Sequence, residues 1–329
     1  QIYNQIPGLN IYQNDDAGLQ LNIGGRGLNP NRTANFNTRQ NNYDISADAL
    51  GYPESYYTPP PEGLEEIQIL RGAASLQYGT QFGGLINFKI KEPKPEDIFE
   101  LITRNTAGSN NLFTNFTSLS SSTKKSSYYG YVNYKKGDGF RPNSEFESIN
   151  TFQNFNYNLN EKSKITGEIT YMEYLAHQAG GLSDFMFAND PFQSNRERNW
   201  FEIKWFLYNL KYLLEISEDS SFSFSFFGLD AKRNSLGFRT NRVDQIDFGE
   251  ERDLIKGEFK NFGFESRFLT DYSFLNKKSF LLLGAKYYNS FSESIQGPGN
   301  NSKNAEFNFD YINFPNYVNQ SEYILSLIH

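Results

Sequence analysis

The stretch Leu64 to Pro93, LEEIQILRGAASLQYGTQFGGLINFKIKEP, decides how the rest of this 329-residue chain is read. Glu66, Ile67, Gln68, Ile69 and Leu70 alternate as a strand does, Arg71-Gly72 breaks the run, and Leu85 to Ile90 resumes a strand. Gly79, Gly83 and Gly84 are expected to supply the left-handed backbone of tight bends, which side chains disfavour. On turn chemistry alone this is a glycine-turned hairpin that many sheet proteins could carry.

The wording is more specific than the pattern. ILRGAASLQYGTQFGGLINF resembles the end of the plug domain of TonB-dependent outer-membrane receptors, in which an LRG-x-x-S-x-x-YG turn is followed by GG and a strand leading into the barrel. Upstream, Ile6-Pro7-Gly8-Leu9 and LQLNIGGRG (19–27) resemble the family's proline-glycine turn and its strand closing in RG. Between them RGLNPNR, YDISAD and GYPESYYTPP are similar to phrases of the ferric dicitrate receptor branch. Asn42-Tyr43-Asp44-Ile45 departs from the LDG-[IV]-P turn of many plugs, which weakens any transfer of ligand from other members.

The resemblance implies a mixed plug domain over residues 1–93, lacking its N-terminal part, followed by an all-β unit over 94–329. The second unit would be the N-terminal part of a transmembrane antiparallel β-barrel, with about ten of roughly 22 strands present. It also implies TonB-dependent uptake of a ferric chelate, ferric dicitrate or a related siderophore, across the outer membrane of a Gram-negative bacterium. The implied partners are the chelate, the TonB-ExbB-ExbD energy-coupling complex and outer-membrane lipid. No enzymatic activity and no resident cofactor or metal site are expected, because the iron would arrive coordinated by oxygens of its own chelator. A glycan or other nutrient importer of the same architecture, or a signal-transducing receptor, remains open.

Composition agrees with a membrane barrel. Aromatic residues make up 17% of the chain while the mean hydropathy is −0.63, as expected of a wall with an apolar outer face and a wet interior, although a large soluble β-protein would share much of this. No run of about 18 apolar residues exists to form a membrane helix. The net charge of −7, with no basic stripe, argues against nucleic acid. There is no cysteine, and the two histidines, His177 and His329, are remote from each other. HExxH, GxSxG and P-loop patterns are absent, and Pro30 stands where GGRG would need a third glycine to cradle a dinucleotide. The chain lacks a first methionine and stops inside a strand pattern, so it is expected to be an internal piece of a longer protein.

Beyond residue 97 the pattern becomes repeated strands, near 97–107, 111–120, 126–136, 148–159, 163–175, 199–216, 220–233, 256–273, 278–291 and 320–329. Ser221 to Phe226 places phenylalanines on one face and serines on the other. Tight turns at SSTKK, NEKS, SEDS and LNKK alternate with long links at 137–147, 176–198, 234–255 and 292–319, the parity of short periplasmic turns and long outer loops. Lysines 124, 125, 162, 277 and 278 fall at the tight turns, whereas arginines collect in the long loops.

From the resemblance, Arg26 and Arg71 occupy the arginine positions of the RG and LRG motifs, which pair with barrel glutamates and lock the plug in the lumen. Glu265 shares a face with Gly263 and Arg267, opposite Phe262, Phe264 and Phe268, and is the expected partner. The alternative is that both arginines satisfy local carbonyls. Arg32, Arg39 and Gln81 are expected to face the ligand from the plug, and Arg196, Arg198, Arg239 and Arg242 from the loops, since guanidinium forks pair bidentately with carboxylates. The alternative for the loop arginines is plain solvated surface.

Overall fold

The computed structural model describes residues 6–13, 21–25, 27–49, 52–72, 78, 83–94, 98–240, 242–310 and 317–328. Its N-terminal unit is made of short strands. β1 (Leu9–Gln13) and β2 (Leu21–Gly25) form an antiparallel ribbon, as do β5 (Ala47–Ala49) and β6 (Tyr52–Glu54). β3 (Phe36–Gln40), β4 (Tyr43–Asp44), β7 (Leu64–Leu70) and β8 (Gly84–Ile90) form a four-stranded sheet in the order β4-β3-β8-β7, with β3 parallel to β8.

The deciding stretch is therefore the β7–β8 antiparallel pair. Gly84 takes a φ of +103°, and a Cβ there would stand 2.4 Å from the Leu70 carbonyl oxygen, so only glycine fits. Gly83 serves a different need from the expected one. Its backbone is not left-handed, but a Cβ would lie 2.6 Å from the Asn35 carbonyl oxygen, so it permits close packing rather than a bend. Gly79 lies outside the described residues.

Ten long strands follow: β9 (Glu100–Ala107), β10 (Phe113–Ser122), β11 (Ser126–Gly137), β12 (Phe146–Asn160), β13 (Ser163–His177), β14 (Trp200–Ser217), β15 (Ser220–Gly237), β16 (Arg252–Phe274), β17 (Lys277–Gly299) and β18 (Tyr317–Ile328). Each pairs antiparallel with the next, giving one ten-stranded sheet in chain order. This is the expected wall, with two differences. β17 continues to Gly299 because its Ser290–Ser294 run stays in register with β16, up to Arg252 opposite Gly299, although its polarity reads as a link. A short helix α1 (Asp184–Asn189), capped by the Ser183 side chain accepting from the Met186 N–H, sits within the link after β13.

The two faces of the wall have opposite chemistry. Along β12, Ser148, Asn150, Asn154 and Asn156 are buried with Phe146 and Phe152, while Ile149, Phe155 and Tyr157 are exposed on the other face. The buried face meets the N-terminal unit from β11, β13, β15, β16 and β17, so the sheet curves around it. One core joins them: Phe36, Tyr43, Ile45, Tyr57 and Phe88 of the enclosed unit pack with Tyr131, Phe152, Trp205, Leu207 and Phe227 of the wall.

Candidate ligand site and the seam around it

Charged and polar side chains hold the enclosed unit to the wall. Arg39, fully buried near the end of β3, donates through both terminal nitrogens to one carboxylate oxygen of Glu265 on β16, at 3.1 and 3.2 Å. Its remaining donors reach the Asn42 carbonyl and the Asn37 side chain. Arg267, two residues along the same face of β16, donates to the other Glu265 oxygen at 2.7 Å. Both guanidinium groups lie over the Tyr78 ring, 4.6 Å from Arg39 and 4.2 Å from Arg267, so its π electrons help to offset the closeness of two cations that share one carboxylate.

Further along, Lys286 pairs with Asp44 at 3.4 Å, the Asn261 amide donates to the Ser46 carbonyl, and Gln40 donates to Thr170. Asn41 donates to the buried Glu168 carboxylate at 2.8 Å. Such bonds are costly to break from one side, because the remaining partner is left buried and unsatisfied.

At the outer end a cavity of about 500 Å³ opens between the enclosed unit and the loops. Arg32, Tyr56 and Ser55 line it from the enclosed unit, and Arg196, Arg233 and Arg239 from the wall and loops. Arg32 and Thr33 both adopt left-handed backbone, φ +58° and +57°, which is strained for residues with a Cβ. The strain is held by the Asn22 side chain accepting from the Arg32 N–H at 2.7 Å and by the Thr33 hydroxyl accepting from the Ile23 N–H. The outcome is a guanidinium raised at the cavity floor.

Arg32 meets one oxygen of the Glu54 carboxylate at 2.6 Å, and Arg233 on β15 meets the other at 2.9 Å. The Tyr56 hydroxyl donates to that second oxygen and accepts from Arg233. Burial pushes the Tyr56 hydroxyl up to about 12, against the pull of Arg233, so it remains a neutral donor.

The loop arginines divide by task. Arg196 spends its donors on the carbonyls of Asn195, Val243 and Gln245 and on Thr240. Arg198 forks onto Asp247 and reaches the carbonyls of Glu250 and Asn301. Buried Arg252 donates to the carbonyls of Arg198, Asn300 and Asn304. These three weld residues 195–198, 243–250 and 300–304 of the loops together. Arg239 is exposed at the cavity wall and makes no hydrogen bond or ion pair among the described residues.

Residues 1–85 match the family model described as the TonB-dependent receptor plug domain. Over those residues the enclosed unit is similar to a TonB-dependent receptor plug, and is called the plug. Among solved structures, the whole chain superposes on half of the unliganded ferric citrate transporter FecA, with a TM-score of 0.80 and 19% identity. It superposes over 99% of its length on 46% of the ferripyoverdine receptor of the outer membrane of Pseudomonas aeruginosa, with a TM-score of 0.74 and 14% identity. The ferric preacinetobactin receptor BauA of Acinetobacter baumannii gives a TM-score of 0.69 at 14% identity, over 94% of this chain and 48% of that one. These likenesses are of fold: a plug and the first part of its barrel. The chain spans about half the length of these receptors. No curated protein sequence matches it.

Against the plug and its wall, the expected site residues separate. Arg32, Arg196 and Arg239 come together at the cavity. Arg39 does not face it but turns to the seam, and the partner of Glu265 is Arg39 rather than Arg71. Arg71 is exposed and donates to the Pro7 carbonyl at 2.9 Å. The reason is register: across the plug sheet Arg39 stands level with Asn87 and Gln68, leaving Arg71 toward the opposite end and on the outer strand. Arg198 is consumed by Asp247 and loop carbonyls, and Arg242 is exposed beside Asp244, 3.7 Å away. Arg26 and Gln81 lie outside the described residues. Sequence reasoning missed Arg233 and Glu54. The inward parity of Ala231, Arg233 and Ser235 was a usable signal for Arg233; nothing local marked Glu54.

Proposed function

We propose that the chain is the plug and first half of the barrel of an outer-membrane transporter in a Gram-negative bacterium. The plug occupies 1–93 and the barrel begins at 94. Its work is energy-coupled uptake of a ferric chelate, with ferric dicitrate the leading substrate, and not catalysis. The observation that carries this reading is the cavity of about 500 Å³ between plug and loops, with Arg32, Arg233 and Arg239 on its walls. A chelate that presents carboxylates needs charge and shape recognition, and no protein atom need touch the iron. Fold likeness to FecA and to two further siderophore receptors supports the class of cargo. In this reading the inner-membrane TonB-ExbB-ExbD complex pulls the plug after the chelate binds, and the exposed aromatic face of the wall meets lipid.

The test is uptake of radiolabelled iron by cells carrying the intact protein, presented as citrate and as other siderophores. Citrate should be preferred, and Arg239→Ala should reduce uptake at limiting chelate about ten-fold, the loss of one charge-assisted contact. Equal uptake from all chelators would remove ferric dicitrate as the substrate.

A further inference from the structure

Glu54 is 4% exposed and is the carboxylate that Arg32 and Arg233 share. It belongs to the plug and Arg233 to the wall, so this triad is part of the seam, and its two arginines also line the cavity. A second cavity of about 420 Å³ is lined by Asn29, Asn35, Glu54, Phe259 and Ser292, and Arg32 and Arg233 line both. Glu54 lines the second cavity, so the two arginines reach into the first while the carboxylate they share borders the second.

We infer that Glu54 is a built-in stand-in for the cargo's carboxylate, which an anionic chelate displaces from Arg32 and Arg233 on binding, thereby cutting a bond between plug and wall. This rests on the proposed function for the identity of the cargo, but not for the competition itself. The reasoning is one of stoichiometry. The two guanidinium groups share the one Glu54 carboxylate through separate oxygens at 2.6 and 2.9 Å, so the trio keeps one positive charge in excess, which favours an entering anion. A carboxylate that bridges the two cations through the same Nη1 atoms must take Glu54's place, since both of those nitrogens already donate to it. Tyr56 bonds to both members of the Glu54–Arg233 pair and would have to reorient with them. The second cavity gives the released side chain somewhere to go. Arg239, exposed and paired with no acid among the described residues, draws the cargo in first. Linkage then requires that what weakens the Glu54 bond strengthens cargo binding by the same factor.

The experiment uses the intact protein in detergent, with iron-free citrate and ferric dicitrate as probes, titrated calorimetrically against wild type and Glu54→Gln. The variant should bind citrate at least ten-fold more tightly. In wild type, either probe, once bound, should accelerate amide hydrogen exchange across plug residues 52–57, a measurement that needs no variant. Unchanged or weaker citrate binding in Glu54→Gln, or no change of exchange at 52–57 on saturation of wild type, overturns the inference. If wild type ignores ferric dicitrate while Glu54→Gln gains citrate affinity, the cargo assignment falls and the displacement stands. If no form binds either probe, both fall.

Discussion

Arginine carries most of the meaning in this chain, and each one's role follows from what lies within reach of five fixed donors. Where irregular backbone surrounds the side chain, as at Arg196 and Arg252, carbonyls absorb the donors and the residue becomes a staple. Where a carboxylate is buried alongside, as at Arg39, the residue becomes a lock. Removing Arg39 takes from buried Glu265 one of its two guanidinium partners, a loss of about 1.5–3 kcal/mol because Arg267 remains, whereas losing an exposed bond to a carbonyl costs about 1 kcal/mol. Arg39→Ala should therefore lower the urea midpoint of plug unseating more than Arg71→Ala. Trp205, 6.1 Å from the Tyr56 ring across the seam, provides a fluorescence signal for it. Equal shifts for the two variants would show that the seam does not depend on Arg39.

Among the elements, the loops behave as one body because Arg198, Arg252 and Asp247 tie them. Burial works against the charge on Asp247, but the Arg198 fork and the Gly249 N–H outweigh it and hold the carboxyl below its ordinary range. A depressed value in the folded state means the clamp's contribution is complete above the ordinary aspartate value, about 3.9, and fades as pH falls through the lower folded value. Proteolysis within 238–251 should accordingly be slow at neutral pH and accelerate only in that acid window. Asp247→Asn should be cleaved readily at both. An acid response at the same pH in the variant would assign it to another group. The strands were legible because their period of two is a local property. The last part of β17 was not, since serines in alternation look like a loop until β16 pairs with them.

At the scale of the whole molecule the plug and the curved wall are fitted to each other, and a few positions show how closely. A Cβ on Gly63 would come 2.8 Å from the Tyr131 ring, whereas one on Gly167 would meet nothing within 4 Å. Gly63→Ala should thus cost about 1–3 kcal/mol of plug seating by overpacking. Gly167→Ala should leave the same Trp205-monitored transition where it was. If Gly63→Ala is equally silent, the plug turn at Pro61–Gly63 is less tightly seated than its contact implies.

The sequence by itself determined the architecture: glycine turns that admit no side chain, an alternation with polar residues on one face and aromatics on the other, and the parity of tight and long connections. Each of these depends on neighbours close along the chain. Tertiary structure alone decided which arginine meets which acid. The pairs Arg39–Glu265 and Arg233–Glu54 join residues far apart in sequence and on different units. A guanidinium's partner is set by strand register and by the carboxylates and carbonyls that folding brings within about 3 Å, and no local pattern encodes that distance.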